Sequence, residues 1–68
     1  MDGNIFNSSG VHVGVIYGGN EVRNLKGELL YRVRRINIYR LTGDLVGHFA
    51  NERSADKHLD KATDRLFA

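Results

Sequence analysis

The sequence predicts a mainly β domain of the α+β kind. It is an antiparallel meander of five to six strands rolled into a small barrel, followed by one C-terminal α-helix. Three observations predict it. Apolar residues alternate at period two along residues 11–17. A hairpin-sized unit repeats at an offset of 16 residues. The apolar period then changes to three and four after residue 51. With 68 residues and no Cys, Pro or Trp, the chain is read as one domain, 1–68, with no disulfide framework and no Cys-ligated zinc site.

The strands follow in order. Ile5-Phe6, before Asn7-Ser8-Ser9-Gly10, reads as a short edge strand. Val11, Val13, Val15 and Tyr17 share one face of the next. Gly18-Gly19-Asn20 is a turn leading into Glu21-Val22-Arg23. The repeat aligns Val22–Val33 with Ile38–Phe49, matching Leu25 to Leu41, Gly27 to Gly43, Glu28 to Asp44 and Leu29 to Leu45.

Each unit predicts a hairpin closed by a type I turn and a bulge, with Gly27 and Gly43 at positive φ. In that register Arg23 faces Leu29, Val22 faces Leu30, Tyr39 faces Leu45 and Ile38 faces Val46. A two-residue turn at Lys26-Gly27 shifts the pairing by one and matches apolar residues less well. Both an SH3-like barrel and a half-open rolled sheet accommodate these strands, which run over about residues 5–49.

Ala55, Leu59, Ala62 and Leu66 lie at spacings of 4, 3 and 4 and define one face of a helix over about residues 52–67. Asn51 or Ser54 is the expected N-cap. Lys57–Asp60 and Lys61–Asp64 are its expected ion pairs. The helix is read as a lid over one sheet face.

The strands predict apolar residues on both faces. Val22, Leu30, Ile38 and Val46 fall on one, and Leu29, Tyr31, Val33, Tyr39, Leu45 and Phe49 on the other. One narrow helical stripe covers one face. The other must close by rolling or against a second copy, so a homodimer joined through the strands is expected.

Charge locates the candidate site. The formal charge is only +2, but residues 22–43 hold six basic residues against one acidic one. The six are Arg23, Lys26, Arg32, Arg34, Arg35 and Arg40. Residues 51–68 are neutral, with four of each sign. Five of the six are Arg, whose planar fork suits phosphate, and Tyr17, Tyr31 and Tyr39 lie in or beside the segment. Arginines and aromatics interleaved on strands are a nucleic-acid footprint. The same residues also solvate sheet edges and anchor protein interfaces.

The sequence points away from catalysis. His12, His48 and His58 form no metal-binding spacing, Ser8, Ser9 and Ser54 lack a nucleophile-elbow context, and the acids lie mostly on the expected helix. The spacing allows a His48–Asp44 contact across the hairpin end, but a strand His with an ordinary surface partner is the expected case. No catalytic residue, metal ligand or cofactor is assigned. Asn7-Ser8-Ser9 matches the glycosylation triplet, but Met1-Asp2-Gly3-Asn4 is no export signal, so the match is taken as chance. No apolar run is long enough to span a membrane. The expectation is a small, non-enzymatic, cytoplasmic binding module. Its partner is nucleic acid or, alternatively, a protein met or inhibited through a sheet edge or an oligomer face.

Overall fold

The computed structural model describes residues 3–51 and 53–67. Six strands follow one another as a meander: β1 (Gly3–Phe6), β2 (His12–Tyr17), β3 (Glu21–Asn24), β4 (Leu29–Arg34), β5 (Asn37–Arg40) and β6 (Leu45–His48). A two-residue strand, β7 (Lys57–His58), returns to pair in parallel with β1. The sheet order is β6-β5-β4-β3-β2-β1-β7.

The sheet curls into a half-barrel whose two edges meet at one antiparallel bridge between Phe49 and Leu59. Ala50 N–H donates to the His58 carbonyl at 2.7 Å beside it, and Leu59 N–H to the Phe6 carbonyl at 2.8 Å. The molecule is correspondingly isometric, 28 × 25 × 24 Å. No helix of the described residues is long and apolar enough to cross a membrane.

Three hairpins share one turn. Gly10, Gly27 and Gly43 N–H groups donate to the carbonyls of Asn7, Asn24 and Arg40 at 2.9, 3.0 and 2.8 Å. Asn7, Asn24 and Arg40 N–H groups in turn donate to Val11, Glu28 and Asp44 carbonyls at 2.9, 3.1 and 2.8 Å. Gly27 and Gly43 sit at φ 89° and 102°, as their position after a type I turn demands. The Asn24 side chain secures its own turn by accepting Lys26 and Glu28 N–H at 2.9 and 3.0 Å. The repeat therefore has three copies, the first being Ile5–Gly14.

The registers correct the expected faces. Arg23 faces Leu29 and Tyr39 faces Leu45, as the turn requires. One residue further on each hairpin carries a bulge: Val22 faces Tyr31, not Leu30, and Ile38 faces Gly47, not Val46. The first hairpin does the same, with Ile5 opposite Gly14 and Phe6 opposite His12. The extra residues are Val13, Leu30 and Val46. A bulge shifts the alternation of all that follows. It brings Val22, Tyr31, Val33, Ile38 and Phe49 to one side, where the sequence alone divides them between two.

That side is the core. Ile5, Ile16, Val22, Val33, Ile38, Phe49 and Leu59 are buried, and Val13, Tyr31, Ile36, Val46, Leu66 and Phe67 pack around them. The inner face is closed by the curl of the sheet.

The expected α-helix is also corrected. Residues 53–56 form a bend, β7 and Leu59 join the sheet, and only Lys61–Phe67 is helical, as a 3₁₀ helix. Glu52, its expected first residue, lies outside the described residues. The stripe is too poor to hold a helix, since Ala55 and Ala62 are exposed. Leu59 gains more as a bridge partner of Phe49, where only 2% of it stays exposed. Asn51 does not cap a helix. Its amide donates to the Asp56 carbonyl at 3.0 Å and accepts His58 N–H at 2.8 Å, pinning the bend.

Asp60 is the actual cap, accepting Thr63 N–H at 2.9 Å. The expected pairs with Lys57 and Lys61 give way to other partners. Asp60 meets His48 at 3.0 Å, and Asp64 accepts Ser8 N–H at 2.8 Å together with the Ser8 hydroxyl. The 3₁₀ helix packs on three equivalent repeat positions: Phe67 on Gly14 and Tyr31, Leu66 on Tyr31 and Gly47, and Thr63 on Gly47.

Candidate nucleic-acid interface

The outer face is built from the residues that alternate with the core. Directly paired residues project to the same side. The ladder therefore places Tyr17, Glu21, Arg32, Tyr39 and Leu45 in one row across β2 to β6. Arg34 and Asn37 form the neighbouring pair on β4 and β5. An open groove of about 530 Å³ runs along these two strands. Arg32, Arg34, Tyr39 and Arg40 line it, with Asn20 and Leu41 towards its two ends. Arg32, Arg34 and Arg40 are exposed, and Tyr39 is half-buried.

The other three candidate cations go elsewhere. Arg23 is committed within the fold. Its guanidinium meets the Glu21 carboxylate at 2.8 Å, donates to the Gly27 carbonyl at 2.7 Å and lies 5.8 Å from the centre of the Tyr17 ring. Lys26 is exposed at the tip of the β3–β4 turn. Arg35 occupies the two-residue β4–β5 turn at the other end of the barrel, at φ 59°. Its side chain borders a different cavity, shared with Lys57 and Ala55.

Of the tyrosines, only Tyr39 stands in the groove. Tyr17 belongs to the same face but carries Arg23 above it. Tyr31 points inward, with its hydroxyl donating to the Leu66 carbonyl at 3.1 Å and its ring 6.1 Å from Phe67. Asn20, at the β2–β3 turn, is a groove residue that the charge pattern does not reveal. Its carbonyl accepts Val33 N–H at 2.9 Å, which holds the turn against β4.

The acids near the groove are engaged. Glu21 is paired with Arg23, Glu28 accepts the Asn24 amide at 2.6 Å, and Asp44 accepts the Thr42 hydroxyl at 3.2 Å. Glu21 stands directly opposite Arg32 in the ladder, and its ion pair with Arg23 offsets its charge there.

The histidines are dispersed. His12 and His58 flank the Phe6 ring at centroid distances of 5.5 and 5.3 Å. His48 pairs with Asp60 and not with Asp44, because β6 leads straight into the bridge that brings residue 60 alongside. Among the described residues, no three His, Asp or Glu side chains converge on a metal-sized site. Comparison with protein-family models, with curated proteins and with solved structures finds no match for this chain.

Proposed function

We propose that this chain is a small, non-enzymatic nucleic-acid-binding module that works through the groove on β4 and β5. The observation that carries the reading is the pairing of Arg32 with Tyr39, with Arg34 beside them, in one open groove that Arg40, opposite the inward-facing Tyr31, borders from the end of β5. Guanidinium groups give paired donors to phosphate oxygens, and an aromatic ring beside them gives a stacking face. Arg23 acts indirectly by holding Glu21. Lys26 and Arg35, at opposite ends of the barrel, lie outside the site.

The test is titration of a labelled oligonucleotide by fluorescence anisotropy at increasing salt. Three phosphate contacts correspond to a log–log slope of about −2 to −3. Replacing Arg32, Arg34 and Arg40 together by Gln abolishes binding and leaves the melting temperature in place. Replacing Lys57 and Lys61 by Glu changes affinity little. An equal loss from both sets means undirected charge attraction and overturns the reading.

A protein partner, a second copy of the chain included, is the alternative. The exposure of Leu25, Leu41 and Leu45, at 59%, 55% and 61%, favours it. Such a contact is nearly indifferent to salt. Sedimentation equilibrium at micromolar concentration tests the homodimer: a species of twice the 7.7 kDa chain mass supports it, and the chain mass alone excludes it.

A further inference from the structure

We propose that the groove takes a single strand, with an unpaired base stacked on Tyr39 and the phosphates of the same strand on Arg32 and Arg34. This rests on the nucleic-acid reading above and goes beyond it by naming the form of the ligand.

The first argument is the Tyr39–Arg32 pair. The two residues are directly opposed on adjacent strands. Their Cβ atoms are therefore about 5 Å apart, with both side chains on the outer face. A ring and a guanidinium at that separation suit a base and its own backbone. In a duplex every base is already stacked, and a tyrosine on the outer face of the sheet finds no partner. The second argument is spacing. Arg32 and Arg34 are two residues apart on β4, or about 6.8 Å along the strand. Two guanidinium groups on one face at that separation can each take a phosphate of the same strand.

The third argument is shape. The row from Tyr17 to Leu45 crosses five strands. At about 4.8 Å per strand it runs roughly 19 Å around the curl of the sheet. A duplex major groove of about 12 Å admits a helix or a two-stranded ribbon, and this convex five-stranded face is neither. The hairpin tips are narrow enough. Those of β3–β4 and β5–β6 present exposed Leu25 and Leu41, with Lys26 beside Leu25 and no aromatic ring at either tip.

The experiment compares three probes by fluorescence anisotropy at low salt: a thymidine 12-mer, a uridine 12-mer and a self-complementary hairpin duplex. Both single strands are expected to bind at least ten-fold more tightly than the duplex, and the ratio between them separates DNA from RNA. Tyr39→Leu lowers single-strand affinity by about 5- to 150-fold, the range produced by losing one stacked base. Tyr39→Phe retains it. Photocrosslinking of the unaltered protein to a bromouracil-bearing strand provides a test that does not depend on a variant folding, and the adduct is expected on Tyr39. Duplex binding equal to or tighter than single-strand binding, or an adduct away from β5, overturns this inference and leaves nucleic-acid binding standing. No binding by any of the three probes overturns both.

Discussion

The Tyr31 hydroxyl donates to the Leu66 carbonyl at 3.1 Å, across 35 residues of sequence. It is a direct link between the middle of the sheet and the last turn of the chain. Tyr31→Phe keeps the ring against Phe67 and removes only this bond. A loss of about 0.5–1.5 kcal/mol is expected, read as a lower urea midpoint with an unchanged slope.

Gly47 lies beneath the 3₁₀ helix. A Cβ placed there falls 2.8 Å from Thr63 Cγ2 and 3.2 Å from Leu66 Cδ1. Thr63 is itself 2% exposed and has nowhere to retreat. Gly47→Ala is expected to cost about 1–3 kcal/mol through overpacking. Hydrogen exchange in residues 61–67 is expected to quicken more than exchange in β2 to β4.

At Gly27 and Gly43 the space around a new Cβ is open, so only backbone conformation is at stake. Either residue changed to Val is expected to cost about 1–2 kcal/mol, the penalty of the left-handed region. Thermal melts in which both variants match the parent protein would refute the turn assignment.

Asp60 gives the fold an acid-sensitive contact. The Thr63 hydroxyl and then the Thr63 N–H hold its carboxyl below the ordinary carboxylate value, and His48 adds to this. The carboxylate is favoured in the folded state, so its stabilising effect is complete above the ordinary value of 3.8 and is lost as pH falls below it. Asp60→Asn keeps a competent cap but cannot titrate. The variant is expected to flatten the stability profile below about pH 4, as followed by urea unfolding at stepped pH. An unchanged profile would show that Asp60 does not couple to folding.

Much of this architecture is legible in residue type. Asn24-Leu25-Lys26-Gly27 and Arg40-Leu41-Thr42-Gly43 specify their turns locally, and the chain obeys them. The bulges at Leu30 and Val46 are not legible, because the extra residue in each is an ordinary apolar strand former and shows only in the pairing. Residues 53–59 also mislead, since a helical spacing of Ala55, Leu59, Ala62 and Leu66 is weaker than the pull of two unpaired edges. The first repeat was within reach: Ile5-Phe6-Asn7 and Gly10 stand 17 residues before Val22-Arg23-Asn24 and Gly27. Within the basic segment, sequence supplies the cations but not their sides. Only the register separates Arg32 and Arg34 from Arg35.

The contact between β1 and β7 has a kinetic consequence. Five hairpins can zip from neighbours in the chain, whereas Ile5 and Lys57 meet across 52 intervening steps. Closure therefore waits for the whole meander, during synthesis as in refolding. Until residues 57–59 arrive, the nascent sheet presents two bare rims to whatever else is nearby. A chain halted at Asn51 is left permanently in that unsealed condition, ready to recruit strands from other chains.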